Sequence, residues 1–464
     1  MSEQNGQNGA KPQETPQGIT RITVGGYKSI AEEQSIEIRP LTILAGANSS
    51  GKSSIMQPLL LMKQTLEAPF DPGALLINGP IIKFTSVDQM LSNGSTETAS
   101  WFVRLKVGSR LAQATYFKPA PNKGFAIERV ALGPKSDVSF NAAMTHDEIM
   151  KALEIGTTDV RADIISALED ITNSLGGQQQ ATPVSTHHKA EFSVSRNRCF
   201  LEIRTNVHNA TTQDFISATS YSLNNAVPLS VSQIIYLQGL RGSPARTYPV
   251  TSTGDKFPGS FESYVASVLL GWQTEGDADE LQQLKRDLAN LGLTNAVSAE
   301  MRNDAEVEIR VGRTLYSDAS DMVSIADVGI GVSQTLPVLV ALLAAKPGQL
   351  VYLEQPEIHL HPRAQAAMAQ VLADAAMRGV RVVAETHSSL LLLGVQTLVA
   401  EGKLPPELVK LHWFTRGDDG ATTIRSADLD EGGRFGDWPE DFDTVELKAQ
   451  SRYLDAAEAR SIRK

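Results

Sequence analysis

The sequence predicts an α/β fold with a central mixed or parallel sheet. It predicts a small antiparallel sheet ahead of that core, an inserted α+β region, and no long coiled coil. Three observations carry this reading. A glycine-rich loop at Gly46–Ser53 stands between an apolar run and a helix-like run. The C-terminal third alternates short apolar runs with helical patterns, the order that builds a parallel sheet covered by helices on both faces. No segment sustains the apolar heptads that a coiled-coil arm needs.

The elements follow in order. Residues 1–18, MSEQNGQNGAKPQETPQG, are polar and rich in Gln, Gly and Pro, which predicts a disordered tail rather than a secretory signal. Arg21–Val24 and Ser35–Ile38 alternate apolar and polar residues, so they read as two strands joined through Gly25-Gly26-Tyr27-Lys28. Leu41–Ala45 is a buried strand and Ser54–Lys63 begins a helix. Ser100–Val107, Phe192–Val194 and Phe200–Arg204 are strand-like. Asp147–Leu175 has helical spacing through Ile149, Leu153, Val160, Ile164, Leu168 and Ile171, and Leu175–Ala181 is a loop with a short Gln run. Glu280–Leu293 is one amphipathic helix. Gly331–Ala345 is a helix with Pro337 expected in its first turns. Gln349–Leu353 and Arg381–Glu385 are buried strands around an Ala-rich helix at Pro362–Met377. The resulting division is a tail at 1–18, an N-terminal lobe at 19–90, an insertion at 91–235, a C-terminal lobe at 236–447 and a short tail at 448–464.

Composition narrows the function classes. The 464 residues allow about two or three domains. A net charge of −11 excludes a bulk nucleic-acid coater, so any DNA contact needs a local basic patch. The single cysteine, Cys199, excludes an internal disulfide and a cysteine zinc cluster, and fits a reducing compartment. The longest apolar stretch, Thr335–Ala345, is too short to span a bilayer. A cytoplasmic protein with no membrane partner is expected.

The loop Gly46-Ala47-Asn48-Ser49-Ser50-Gly51-Lys52-Ser53 matches G-x-x-x-x-G-K-[ST], and Ser54 continues into the helix. Small residues let the loop curl so that backbone N–H groups converge on phosphate oxygens. Lys52 supplies a cation at the β- and γ-phosphates, the Ser53 hydroxyl can ligate Mg²⁺, and the positive helix end faces the anion. Such a loop needs a carboxylate on a nearby strand to hold Mg²⁺. Leu350–Leu353 ends in Glu354, at the strand tip where ligands bind in open α/β sheets. A second strand leads to His387, within reach of a γ-phosphate. His359 and His361 resemble a metal pair, but two histidines in a proline-bounded loop are too few oriented ligands.

GANSSGKSS at 46–54, LVYLEQPEIHLHPRAQ at 350–365 and VVAETHSSLLL at 382–392 together resemble the ABC-type ATPases of the SMC/RecF/OLD group. More narrowly, they resemble compact prokaryotic AAA family ATPases with a Glu-x-Pro-Glu-x-His-Leu-His-Pro box, found in anti-phage defence and DNA repair. Three further stretches agree: the signature segment Asp327–Gln334, the Leu-Arg-x-x-Pro-x-Arg-like segment Tyr236–Tyr248, and a Trp-Pro-x-x-Phe box at Trp438–Phe442. The resemblance covers most of residues 19–450, with about 90–230 matching loosely. It implies an ABC-type ATPase head that binds ATP and Mg²⁺, with Ser53 and Glu354 on the metal. It also implies a homodimer that sandwiches ATP, in which Gly329, Gly331 and Ser333 of one copy cap the γ-phosphate held by the other. Arg241 and Arg246 are compatible with a conformational or nucleic-acid contact and equally with being solvated or paired within the fold.

Gln355 departs from the family pattern, which has an acidic residue there to polarise the attacking water. A neutral amide can orient water but cannot take its proton. Slow turnover is therefore expected of an enzyme whose catalytic group is Lys52, Glu354, Gln355 and His387. The resemblance points to an ATP-operated switch or clamp acting on DNA or beside a separate nuclease or toxin. With only a short stretch after Trp438, effector chemistry is expected to come from another chain. A nucleotide-gated scaffold without meaningful turnover and a transporter nucleotide-binding subunit are the alternatives, the last disfavoured by the long stretch between the two ATP motifs.

Overall fold

The computed structural model describes residues 18–92, 100–155, 188–436 and 451–452, apart from 111, 122–123, 134–137, 210, 253, 277 and 318–319. Residues 1–17, the helical spacing beyond Ile155, the Leu175–Ala181 loop, the Trp438 box and most of the 448–464 tail lie outside the described residues.

The chain begins with β1 (Ile19–Gly25), β2 (Gln34–Glu37), β3 (Leu41–Gly46) and α1 (Lys52–Glu67). It continues through β4 (Trp101–Val107), β5 (Gln113–Ala120), β6 (Gly124–Leu132), β7 (Val138–Phe140) and α2 (His146–Ile155). Then come β8 (His188–Asn197), β9 (Phe200–Asn209), β10 (Phe215–Ser222), α3 (Ala226–Ser232), β11 (Ile235–Leu237) and β12 (Tyr248–Pro249). Helices α4 (Val265–Thr274) and α5 (Ala278–Asn290) precede β13 (Val297–Asn303), β14 (Glu306–Gly312) and β15 (Met322–Ser324). The last part holds α6 (Ile330–Ala344), β16 (Leu350–Glu354), α7 (Pro362–Met377), β17 (Arg381–Glu385), α8 (Ser389–Ala400), β18 (Val409–Arg416) and β19 (Thr422–Ala427).

The central sheet has the order β11-β16-β17-β3-β18-β19. The first five strands are parallel and β19 closes the edge antiparallel. All six residues of β3 are buried. Because side chains alternate along a strand, Leu41, Ile43 and Ala45 enter one apolar core while Leu44 enters another. The same split sends Val351 and Leu353 to the first core and Leu350 and Tyr352 to the second. Helices α4 to α8 supply the first core; α1 and the N-terminal sheet supply the second. The sheet is thus covered on both faces, as its continuous apolar strands require.

The N-terminal sheet, β2-β1-β4-β5-β6-β7, is larger than the small sheet expected. Its extra strands come from residues inside the stretch read as an insertion. Alternating positions on β4, such as Trp101, Val103 and Leu105, join the same core as Ile22 and Val24 of β1. The hairpin of β8 and β9 grips the end of α1. Arg198 at its turn has φ 53°, and its Nη1 donates to the carbonyls of Thr65, Leu66 and Ala68 at 2.7–2.8 Å. A cation there satisfies the carbonyls that a helix C-terminus leaves unpaired. Beside it, Cys199 is fully buried, and burial pushes its thiol well above the usual range.

Pro337 lies deeper in its helix than expected, at the eighth residue of α6 rather than in the first turns. Proline breaks the backbone ladder one turn back. The carbonyl left without its ladder partner is that of Ser333; apolar packing of Leu336 and residues 338–342 holds the helix in place, and Arg241 Nη1 donates to the neighbouring Gln334 carbonyl at 3.2 Å.

Candidate functional site

The loop after β3 turns sharply at two glycines. Gly46 has φ 144°, and a Cβ there would stand 2.3 Å from the Phe414 carbonyl oxygen; Gly51 has φ 98°, and its Cβ would stand 2.3 Å from Thr422 Oγ1. Neither position admits a side chain. Ser49 also sits in the left-handed region, with φ 60°. Thr422 Oγ1 lies 2.9 Å from the Ser50 carbonyl and 2.8 Å from Ser29 Oγ, propping the loop against the β1–β2 turn. Arg416 Nη1 reaches the Ser49 carbonyl at 3.3 Å. The first turn of α1 carries no acidic residue, so its positive end remains available to an anion.

The loop opens on a cleft of about 900 Å³. Asn48, Ser49, Ser50, Gly51, Lys52, Ser53 and Ser54 line one side. Gln355, Glu385 and His387 line another, and Lys28, Ser29 and Gln57 a third, with Arg416 and Asp419–Ala421 at the rim. Lys52, 3% exposed, rests its Nζ on the Gly46 and Ala47 carbonyls at 3.0 and 2.8 Å. Burial pulls its pKa below the usual lysine range, against the pull of Glu385.

Ser53 does not pair with Glu354. Its hydroxyl lies 3.1 and 3.0 Å from the two carboxylate oxygens of Glu385, at the tip of β17. Burial raises the Glu385 pKa and the nearby Glu354 carboxylate raises it further; Tyr352, Lys52 and Ser53 oppose the shift. Glu354 is not among the residues lining the cleft. Its oxygens accept from the Tyr236 hydroxyl at 3.1 Å and the Gly239 N–H at 3.1 Å. Gln355 has φ 46°, held by its N–H donating to the Glu385 carbonyl at 2.8 Å. His387 is anchored through Glu357, which is buried and accepts from the Thr386 hydroxyl and the His387 N–H. Burial and Lys52 hold the His387 pKa below the usual imidazole value.

The remaining expectations fall elsewhere. Gly329, Gly331 and Ser333 sit at the start of α6 and are not among the residues lining the cleft; Ser333 Oγ donates to the Ile330 carbonyl at 3.2 Å. Both arginines raised as nucleic-acid contacts are paired within the fold. Arg241 is buried against α6, and Arg246 forms a two-point pair with Asp327 at 2.7 and 2.9 Å. His361 caps α7, its Nδ1 accepting from the Arg363 N–H at 3.4 Å. Two cleft residues had no role from sequence reasoning. Lys28 was read only as part of a turn; its Nζ donates to Gln57 at 3.0 Å and lies over the Phe84 ring. Glu385 reads from the sequence only as a strand end, and its place beside Ser53 follows from the pairing of β17 with β3.

This geometry suits a nucleoside polyphosphate. The loop backbone, the positive end of α1 and Lys52 line one cleft, and hydroxyl and carboxylate oxygens stand beside them. Those hard oxygen donors fit Mg²⁺, which when bound neutralises charge on the transferring phosphoryl group. Among the described residues no cluster of three or more His, Cys, Asp or Glu side chains could cage a metal alone. Mg²⁺ is ordinarily held by one or two carboxylates plus substrate phosphates.

Residues 255–393 match the family described as AAA domain, putative AbiEii toxin, Type IV TA system. The strand order and the phosphate loop give an α/β sheet that ends in a phosphate-binding loop, and the segment 255–393 is similar to that AAA family. Among solved structures, the Smc head domain with a coiled coil and joint from Pyrococcus yayanosii is 10% identical; the match covers 89% of this chain and 97% of that one, with a TM-score of 0.43. The SMC head domain from Thermotoga maritima is 9% identical over 89% of this chain and 100% of that one, with a TM-score of 0.36. The Pyrococcus furiosus Smc head domain bound to the C-terminal domain of ScpA is 11% identical over 96% and 100%, with a TM-score of 0.39. No curated protein matches the chain in sequence. Among the described residues no helix is long and apolar enough to cross a membrane.

Proposed function

We propose that this chain is a cytoplasmic, ATP-binding and slowly ATP-hydrolysing switch that closes as a homodimer around Mg²⁺–ATP and works beside a separate effector in anti-phage defence or DNA maintenance. The observation that carries it is the convergence of Lys52, Ser53, Glu385, Gln355 and His387 on one cleft beneath the phosphate loop. The matched family's description, with its toxin and toxin–antitoxin terms, supports the defence setting. The signature segment Gly329–Ser333 would complete the partner copy's site, since it is not part of the cleft in its own chain.

A second reading, a nucleotide-gated scaffold, is favoured by Gln355, whose amide cannot accept a proton. ATP turnover with and without duplex DNA, compared with Lys52→Ala, separates the two. A slow turnover abolished by Lys52→Ala supports the switch, and stimulation by DNA would name DNA as its ligand. No turnover in the wild type, with ATP binding intact, would leave the scaffold. Light scattering with and without ATP tests the dimer; a monomer in both conditions at high protein concentration sinks it.

A further inference from the structure

The proposed ATP site has two carboxylates at one level of the central sheet, and they face different surroundings. Strands β16 and β17 run parallel with Glu354 directly opposite Glu385. The strand order places β17, not β16, beside β3. Glu385 is therefore the acid set next to the loop that β3 feeds. It lines the cleft, and both of its oxygens lie within 3.1 Å of Ser53 Oγ. The oxygens of Glu354 are engaged on the far side, by the Tyr236 hydroxyl and the Gly239 N–H. Tyr352 stands between the two acids, its hydroxyl 2.9 Å from Glu385 Oε2 and 3.5 Å from Glu354 Oε1. The first distance is a good hydrogen bond and the second a weak one.

The Ser53 hydroxyl on α1 and the Glu385 carboxylate at the tip of β17 thus present neighbouring hard oxygen donors in one cleft, the donor type that Mg²⁺ takes.

We infer that Glu385, together with Ser53, is the carboxylate that ligates the divalent cation of the bound nucleotide, and that Glu354 is a positioning residue. Glu354 fixes the Gly239 turn and shares Tyr352 with Glu385, so it acts on the metal through its neighbour. This rests on the ATP-site reading, and its test separates the two.

Fluorescent ADP binding in EDTA reports the phosphate loop without metal. Mn²⁺ is then titrated into the protein–ADP complex, with free Mn²⁺ read by electron paramagnetic resonance. Glu385→Gln is expected to weaken Mn²⁺ binding by at least about tenfold more than Glu354→Gln, each titration being read against that variant's own metal-free ADP affinity. Equal losses, or a larger loss in Glu354→Gln, overturn the assignment while leaving the ATP site standing. Failure of the wild type to bind ADP removes the ATP-site reading and this inference with it. Should Glu385→Gln not fold, Glu385→Asp keeps the charge on a shorter side chain. Weaker Mn²⁺ binding there supports the assignment and unchanged binding overturns it.

Discussion

Gln355 is held in a left-handed conformation that costs a non-glycine residue roughly 1 kcal/mol or more. Its backbone is fixed by the bond to the Glu385 carbonyl and by the Ile358 N–H donating back to its own carbonyl at 3.1 Å. The side chain is thereby aimed along the cleft wall whatever its terminal group. Gln355→Glu changes only that group, from a water-orienting amide to a base. General-base catalysis contributes roughly 10²–10⁴-fold, so single-turnover ATP hydrolysis should rise by about 10²-fold and the ATP-bound dimer should dissociate sooner. Unchanged turnover together with an unchanged dimer lifetime would remove Gln355 from the account of slow hydrolysis. That Lys52, Ser53, Gln355 and His387 line one cleft was legible in the sequence, because each sits in a short local motif. Glu385 and Lys28 were not, because their roles arise between segments. Ser53 meets Glu385 only through the pairing of β17 with β3, and Lys28 reaches the cleft only when the β1–β2 turn folds over α1.

Among the elements, β18 joins the phosphate-loop strand to the N-terminal sheet. His412 is fully buried on it, with Nε2 2.8 Å from the Glu37 carbonyl of β2 and Nδ1 2.8 Å from Ser426 Oγ of β19. A carbonyl can only accept, so Nε2 carries the proton and the Ser426 hydroxyl donates to Nδ1. Burial first, with Lys410 adding to it, lowers the His412 pKa to about 4, against the pull of the Glu37 carbonyl. The folded pKa lies below the unfolded one, so the unfolded chain binds the extra proton between the two. The stabilisation is complete above about pH 6.5 and is lost as pH falls towards 4. Between pH 7 and pH 5 it should fall by about 2 kcal/mol. Urea denaturation at both pH values should show a smaller drop in His412→Gln than in the wild type; parallel drops would mean that His412 is not the sensor. The strand itself was not among those read from the sequence, and apolar runs elsewhere show why element type is easier than context. Leu41–Ala45, Pro362–Met377 and Arg381–Glu385 were legible from length and composition. The depth of Pro337 in α6 was not, since what holds the helix around it is apolar packing from segments far away in the chain.

At the scale of the molecule, two cores share one sheet, and the parts of the proposed ATPase lie on different faces of it. The cleft belongs to the loop after β3, the tip of β17 and the β1–β2 turn. The signature segment opens α6, where a Cβ on Gly329 would meet nothing within 4 Å. Ile330 is 59% exposed beside it, and Leu240 of the neighbouring turn is 77% exposed. The turn is tied to α6 by Gln334 Nε2 donating to the Gly242 carbonyl at 3.2 Å, and Arg246 pairs with Asp327 just ahead of the helix. An open helix start flanked by apolar side chains is a surface that a second copy can cover, bringing its own bound phosphate to the Gly329–Ser333 amides. A charge placed there would be desolvated on closure and set against that phosphate, which costs several kcal/mol. Ile330→Asp should therefore abolish the ATP-dependent dimer in light scattering while leaving ADP binding to the monomer within about twofold, since Ile330 does not line the cleft. A variant that still dimerises with ATP would place the closing face elsewhere on the molecule. A variant that loses ADP binding as well would mean that the start of α6 supports its own chain's cleft rather than the partner's.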